Sequence, residues 1–154
     1  MNIYDVSKKA GVSIATVSRV LNGNHNVSEK TRSKVISAMK ELDYTPNIFA
    51  RGLGLNTMKT IGIMCTDSSD TYLANAVYYV EQKLRSFGYD ALLCCTGNDY
   101  INKKKYMSLL LSKRVDGIIL IGSQFVNNSP GSDNSYIIDA SSEIPIILVN
   151  GYLA

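Results

Sequence analysis

Histidine is almost absent from this chain of 154 residues, which contains only His25, in a polar turn. This scarcity argues against a cluster of histidine metal ligands and against Ser-His or Cys-His catalytic pairs. The cysteines Cys65, Cys94 and Cys95 are odd in number and show no C-x-x-C spacing, so we expect buried, reduced thiols rather than disulfides or a zinc site. The sequence therefore predicts a protein without enzymatic activity, bound metal or cofactor.

Long apolar runs are also missing. None approaches the roughly 20 residues that a membrane-spanning helix needs, and the first residues lack the basic-then-apolar pattern of an export signal. We therefore expect a cytoplasmic protein that does not contact a membrane. The 45% of hydrophobic residues is enough for one domain with a core and an additional small module.

Acidic residues are scarce in the first part of the chain. Residues 1–60 hold nine Lys and Arg against four Asp and Glu, whereas residues 61–154 hold seven against nine. A basic module neutralises phosphates and releases their counterions, while an acidic remainder is repelled by a polyanion. Any contact with nucleic acid is therefore expected in the first 60 residues.

The basic part contains a tight turn followed directly by a short helix. Gly11 can adopt the left-handed conformation that ends a helix, and Ser13 can cap the next helix by accepting a backbone N–H bond. Val17, Val20 and Leu21 recur at i, i+3 and i+4 and are expected to face inward. The residues that then face outward are Ile14, Ala15, Thr16, Ser18 and Arg19. Short hydroxyls and one guanidinium suit a DNA groove, although an ordinary helical hairpin would have the same spacing.

Two further helices complete this small module. One is predicted over residues 3–10, and the other begins after Ser28, a candidate N-cap, and ends before Pro46, which has no N–H. The residues predicted to form the core are Val6, Ala10, Val12, Val17, Val20, Leu21, Val35, Met39 and Leu42.

Residues 47–55 follow Pro46 and have helical composition interrupted by Gly52 and Gly54. Each glycine costs about 1 kcal/mol against Ala in a helix, so we expect this segment to be mostly unfolded on its own. The Gly-x-Gly pair is not a nucleotide-binding fingerprint, because no strand precedes it and the third glycine is missing.

From residue 60 onward the pattern changes to alternating strands and helices. Continuous apolar runs predict strands at 61–65, 91–95, 117–121 and 144–149. Helices are predicted around 73–84, over 103–114 with Tyr106, Leu109 and Leu110 inward, and around 136–142. Strands in which apolar and polar residues do not alternate, when separated by helices, are typical of a doubly wound parallel sheet with right-handed crossovers.

Ligands of such sheets bind at the carboxyl ends of the strands. Asp67, Asp70 and Asp99 follow predicted strands and could be read as a metal or catalytic cluster, but helix capping or ligand hydrogen bonds are favoured, since nothing orders the three carboxylates. Residues 103–105, three consecutive lysines, are interpreted as a solvated helix face.

Several stretches resemble the LacI family of repressors: Tyr4-Asp5-Val6, the segment 11–22, the segment 26–32 and the segment 114–120. The resemblance implies a DNA-reading headpiece at 1–45, a hinge at 46–59, and at 60–154 the N-terminal part of a periplasmic-binding-protein-like effector domain. The fold class is then α/β, with an all-α helix-turn-helix headpiece before an incomplete, doubly wound parallel subdomain. The implied function is a sequence-specific transcriptional repressor, dimeric on a palindromic operator and controlled by a small molecule such as a sugar or sugar derivative.

The same resemblance assigns roles to individual residues. Base-reading positions fall on Ile14, Ala15 and Arg19, and a minor-groove wedge falls on Leu53. Further DNA contacts fall on Tyr4, Ser13, Thr16, Ser18, Asn22, Ser28, Thr31, Tyr44, Asn47 and Ala50. Effector contacts fall on Asp67, Tyr72, Leu73, Ser123 and Asn150.

The sequence departs from the family in three places. Gly52 and Gly54 stand where members often have a serine and a longer polar or basic residue beside the wedge. An aromatic pair often follows the first strand, and here Tyr72 alone can stack on an effector. Members of the family also continue through a second subdomain, so we expect this chain to be a fragment or a truncated product.

Two alternatives from other classes are weaker. A sugar-binding module without DNA function would need an export signal and no basic headpiece. A flavodoxin-like enzyme domain would need a glycine-rich phosphate loop after the first strand, and residues 65–69 contain no glycine.

Overall fold

The computed structural model describes residues 1–47, 52, 55 and 57–153. The chain divides into two compact units, Met1–Met58 and Lys59–Ala154. None of the helices in the described part has the length and hydropathy needed to cross a bilayer.

The first unit contains three helices, α1 (Ile3–Ala10), α2 (Ile14–Leu21) and α3 (Glu29–Glu41). Gly11 ends α1 in the left-handed conformation, with φ of 64°, as predicted. A capping box that the sequence analysis did not identify begins α1: the Asn2 side chain accepts from the N–H of Asp5, and the Asp5 carboxylate accepts from the N–H of Asn2. These local bonds fix both ends of the first helix.

The core of this unit is small and made almost entirely of valine. The fully or nearly fully buried residues are Val6, Val17, Val20, Val35 and Ala38, and the partly buried residues around them are Ile3, Ala10, Val12, Val27, Leu21, Met39, Leu42 and Tyr44. The burial of Val17 and Val20 fixes the rotation of α2 about its axis, so its opposite side faces solvent.

The second unit alternates strands and helices. The elements are β1 (Thr60–Cys65), α4 (Thr71–Ser86), β2 (Asp90–Cys95), α5 (Tyr100–Ser112), β3 (Gly117–Ile121), a 3-10 turn (Ser123–Phe125), α6 (Ser135–Glu143) and β4 (Ile146–Val149). The sheet is parallel, in the order β2-β1-β3-β4. The doubly wound parallel sheet predicted from the sequence is confirmed, with β1 and β3 at its centre.

Each face of the sheet has its own core. On one face Ile63 and Ile121 pack with Leu73 of α4, and on the other Met64 and Leu120 pack with residues of α5 and α6. Gly62 allows the close approach of α5, because an added Cβ there would lie 2.7 Å from Cδ1 of Leu110. Alternate residues of β1 therefore serve two separate cores, as expected for a strand buried on both faces.

Lys103 corrects the interpretation of residues 103–105 as a solvated helix face. Its side chain is only 7% exposed, its Nζ donates to the Gln124 carbonyl at 2.5 Å, and it lies 5.5 Å from the centre of the Phe125 ring. Burial lowers the pKa of this lysine. The 3-10 turn 123–125 covers the start of α5, so the inward stripe of the helix includes a lysine.

Other sequence-based expectations differ in detail. Leu109 is exposed, and Met107 takes the inward position instead. The strand β4 begins at Ile146 rather than at residue 144, because Pro145 has no N–H for a sheet hydrogen bond. Cys95 is exposed, whereas Cys65 is buried on the central strand β1 and Cys94 is buried in the core on the opposite face of the sheet.

Candidate nucleic-acid interface

Two helices of the first unit begin with the same pair of hydroxyl groups. Ser13 Oγ accepts from the N–H of Thr16 at 3.2 Å and lies 2.9 Å from Thr16 Oγ1 at the start of α2. At the start of α3, Ser28 Oγ accepts from the N–H of Thr31 at 3.3 Å and lies 2.9 Å from Thr31 Oγ1. The remaining N–H groups of a helix N-terminus, with such hydroxyls, are suited to bind phosphate oxygens.

The exposed side of α2 carries the predicted base-reading residues. Ile14 is 38% exposed, and Ala15 and Arg19 are exposed as well. The Arg19 side chain makes no hydrogen bond or ion pair with any residue in the described part of the chain. A planar guanidinium with five donors is thus available to an external partner.

Arg32 has a structural role in this unit that the sequence analysis did not identify. From α3 it donates through Nη2 to the carbonyl of Asn24 at 2.9 Å, and its Nε lies 3.4 Å from a carboxylate oxygen of Glu29. The bond joins α3 to the turn that links it to α2. Only a weak signal existed in the sequence, namely an arginine three residues after an acidic first-turn residue.

Several of the remaining predicted DNA contacts lie at or near the ends of the helices. Tyr4 is 66% exposed in the first turn of α1, Asn22 is half-buried as the C-cap of α2, and Tyr44 packs its ring partly against the valine core. Thr16 and Ser18 are half-buried, and Asn47 is exposed. Ala50 and Leu53 lie outside the described residues.

The acidic residues of the first unit are mostly occupied by local partners. Asp5 caps α1, Glu29 pairs with Arg32, and Glu41 lies 2.9 Å from Lys9 Nζ. The hydrogen bonds from Lys9 and Ser37 lower the pKa of Glu41. The net positive charge of this unit is therefore carried by lysines and arginines at its surface.

In the second unit, two predicted effector residues line one cavity of about 510 Å³. Ser123 follows β3 and Asn150 follows β4, so the pairing of these two strands brings them together. Asn150 adopts a left-handed conformation, with φ of 60°, which asparagine tolerates better than most residues. The other lining residues are Val126, Asn128, Gly151 and Tyr152, which the sequence analysis did not identify.

The other three predicted effector residues are placed differently. Asp67 is exposed and accepts from the N–H and the hydroxyl of Ser69 at 2.8 and 2.7 Å, bonds that lower its pKa. Tyr72 is 59% exposed on α4. Leu73 packs in the core against Ile63 and Ile121 and is only 7% exposed, so a direct ligand contact there is disfavoured.

The carboxylates that the sequence analysis weighs as a metal or catalytic cluster have other partners. Asp70 is the N-cap of α4 and accepts from the N–H of Leu73 at 2.9 Å. Asp99 is the N-cap of α5 and accepts from the N–H groups of Ile101 and Asn102. Capping, the interpretation favoured from the sequence, is the arrangement observed for both.

The first unit contains a turn between two capped helices. In sequence, it is followed by a parallel α/β sheet with a cavity at its strand ends. This combination defines a class of bacterial regulatory proteins. Residues 2–47 match the family described as "Bacterial regulatory proteins, lacI family". Residues 58–152 match "Periplasmic binding proteins and sugar binding domain of LacI family". The chain belongs to the LacI family.

Individual relatives agree with this assignment. An HTH-type transcriptional regulator of Lachnoclostridium phytofermentans is 68% identical over 154 residues, which are all of this chain and 46% of the relative. The HTH-type transcriptional repressor PurR of Haemophilus influenzae is 37% identical over 148 residues, 96% of this chain and 43% of that protein. A crystal structure of the lac repressor dimer bound to operator and the anti-inducer ONPF has a TM-score of 0.77 at 28% identity, covering 96% of this chain and 44% of that one. This chain thus spans less than half the length of these relatives.

Proposed function

We propose that this chain forms the DNA-binding headpiece and the first part of the effector domain of a sequence-specific transcriptional repressor. The regulator binds double-stranded operator DNA as a homodimer in the cytoplasm, responds to a small molecule and has no catalytic activity. Repression rather than activation is supported by relatives named transcriptional repressor, such as PurR.

The exposed side of α2 carries this proposal. Arg19 projects there without an intramolecular partner in the described part of the chain, so it can bond bidentately to O6 and N7 of a guanine in the major groove. Ile14 and Ala15 offer only apolar contact, for example to a thymine methyl group. The two hydroxyl-capped helix N-termini supply the phosphate contacts that fix the register of the protein on the duplex.

Substitution of Arg19 tests this assignment. The operator is first selected from a library of random duplexes, and binding is then measured by titration at several salt concentrations. Arg19→Ala is expected to cost about 1–3 kcal/mol on the selected site and to relax the preference at one base position. The control Lys40→Ala removes the same charge from the exposed last turn of α3 and should leave base preference unchanged. Equal losses for Arg19→Ala on selected and random DNA would show that Arg19 contacts only phosphate.

The dimer is tested by the symmetry of its site. Two copies related by a two-fold axis require two inverted half-sites, so the selected operator should be a palindrome. Duplexes with one half-site, or with altered spacing between half-sites, should bind much more weakly. Equal affinity for one half-site would contradict a dimeric mode of binding.

The effector is proposed to be a neutral polar molecule, such as a sugar or sugar derivative, bound at the cavity beside Ser123 and Asn150. The six lining residues offer amides, hydroxyls and one aromatic ring, and none carries a charged side chain. Residues 1–154 expressed alone should bind it weakly, because such a ligand is normally enclosed by two subdomains. Calorimetry against panels of sugars and purines tests both the kind of ligand and the weakness of its binding. A purine that binds at micromolar concentration would contradict a sugar effector, and any tight sugar ligand would contradict weak binding.

A further inference from the structure

The ends of two neighbouring strands bring two cysteines side by side. Cys65 is the last residue of β1, Cys95 is the last residue of β2, and the two are register partners in the sheet. Their sulfur atoms are 3.7 Å apart. Neighbouring strands lie about 4.7–4.9 Å apart, which falls within the Cα separation of about 4.4–6.8 Å found in disulfides. Closing a bond would thus need side-chain rotation and a small approach of the sulfurs.

The third cysteine faces the other way. Cys94 precedes Cys95 directly, so its side chain points to the opposite face of the sheet, where it packs with Met64 in the core against α5 and α6. Cys65 is fully buried, whereas Cys95 is exposed on the outer strand. The pair therefore combines one sulfur that solvent reaches with one that is shielded, and Cys94 cannot replace either.

We propose that Cys65 and Cys95 form an oxidisable dithiol that closes to an intramolecular disulfide on exposure to a peroxide. The Cys95 thiolate attacks one oxygen of hydrogen peroxide, the O–O bond breaks, and the released hydroxide takes up a proton to give water. The Cys65 sulfur then attacks the resulting sulfenic acid at Cys95, displacing the oxygen as a second water with the thiol proton of Cys65. In total the two thiols lose two electrons and two protons, and the peroxide is reduced to two waters.

The surroundings of the pair set the order and the rate of these steps. Oxidation begins at Cys95, because only this sulfur is accessible to the oxidant. Burial raises the pKa of the Cys65 thiol to about 12, and the hydrogen bond with Cys95 adds to the effect. Since the thiolate is the attacking species, closure is expected to be slow in spite of the short distance.

The disulfide would lie at the rim where the strands end. The N–H of Thr96 donates to the Cys65 carbonyl, and the N–H of Gly97 donates to the Thr66 carbonyl, each at 2.9 Å. Oxidation would therefore link two side chains next to backbone hydrogen bonds that already join residues 65–66 to residues 96–97. Disulfide formation between Cys65 and Cys95 does not depend on DNA binding. A negative result in the thiol assay can therefore be distinguished from a failure of the chain to bind an operator.

Counting thiols in the full chain tests the proposal. The protein is treated with hydrogen peroxide, denatured, alkylated and examined by mass spectrometry with peptide mapping. We expect the alkylated thiols to fall from three to one, a peptide linked through residues 65 and 95, and full recovery with dithiothreitol. The matched control Cys94→Ala should still form the link, and Cys95→Ala should not. Three remaining thiols, a bond between Cys94 and Cys95, or chains linked to each other through Cys95 would each overturn the proposal.

A second probe measures the pairing without oxidation. Phenylarsine oxide bridges two adjacent thiols through arsenic and releases one water, so it needs no S–S bond. The native chain and Cys94→Ala should each retain one equivalent, and Cys95→Ala should retain none after washing with a monothiol. Equal retention by the native chain and Cys95→Ala, or no retention by the native chain, would show that the two sulfurs are not paired in solution.

Discussion

Replacing Lys103 tests whether a buried ammonium stabilises the second unit. In the structure Lys103 bridges the start of α5 and the turn 123–125 through its bond to the Gln124 carbonyl. Lys103→Ala removes this bond, and it also removes the methylenes that pack beneath the turn. Lys105→Ala is the matched control, because Lys105 is an exposed lysine on the same helix.

The expected size of the effect follows from four contributions. Loss of three buried methylenes costs about 2.4 kcal/mol at about 0.8 kcal/mol each. Loss of a hydrogen bond from a charged donor costs about 1.5–3 kcal/mol. Release of the ordered lysine side chain returns about 1.5–2 kcal/mol. Because the ammonium also no longer has to be desolvated, we expect a net destabilisation of about 2–3 kcal/mol, against less than about 0.5 kcal/mol for Lys105→Ala.

Urea unfolding followed by far-ultraviolet circular dichroism measures the difference, with the transition of the second unit fitted separately from that of the headpiece. Lys103→Met keeps the apolar stem and should lose only about 1 kcal/mol, the part due to the unpaired carbonyl. Burial lowers the pKa of Lys103 below 10.5, so the unfolded chain binds this proton more tightly and stability should rise as the pH increases toward 10.5. That rise should be missing in Lys103→Met. If Lys103→Ala unfolds at the same urea concentration as Lys105→Ala, the buried bridge contributes nothing.

Four further variants test other parts of the structure. Ser28→Asp keeps a good N-cap on α3 but adds a negative charge, so unfolding should be unchanged while binding to all DNA weakens by about 1 kcal/mol. A loss of affinity confined to the operator would contradict a phosphate contact. Leu53→Ala should weaken operator binding far more than non-specific binding in a mobility-shift titration, since a wedge between base steps acts only on a bent site; unchanged operator affinity would exclude the wedge. Gly62→Ala places a Cβ 2.7 Å from Leu110 Cδ1 and should lower stability by about 1–3 kcal/mol in thermal unfolding; a neutral result would mean that α5 can move away from β1. The pKa of Asp133 is lowered to about 2 by hydrogen bonds from the hydroxyl of Ser135, the hydroxyl of Tyr100 and the N–H of Ser135. The contribution of Asp133 to stability is therefore present above pH 4 and is lost as the pH falls toward 2. Asp133→Asn should flatten this part of the acid unfolding curve, and an unchanged curve would assign the loss to other groups.

The headpiece could be predicted closely from the sequence because its determinants are local. Gly11, Ser13 and Ser28 act on backbone groups within three or four residues, so their type and spacing define the helix ends. The capping role of Asn2 was equally local, but it was missed because the capping pair is Asn and Asp rather than the common Ser or Thr with Glu.

The second unit could be predicted only in outline. Four apolar runs define its strands, but the burial of Lys103 depends on a turn about twenty residues further along the chain. The same holds for the cavity, where Tyr152 meets Ser123 and Asn128 only because β3 pairs with β4. Neither spacing nor composition contains this information, because both depend on which strands become neighbours.

The paired hydroxyls at the starts of α2 and α3 have a consequence for the kinetics of recognition. Thr16 and Thr31 are each held by a serine in the free protein, so their side chains have already lost the freedom that a phosphate contact would otherwise remove. Immobilising a flexible side chain on binding costs about 0.5–1.5 kcal/mol, a cost that folding has here already incurred. An encounter with the duplex can then become a bound complex without a search through rotamers, so a headpiece with both pairs intact should associate faster than one in which either threonine is replaced by valine.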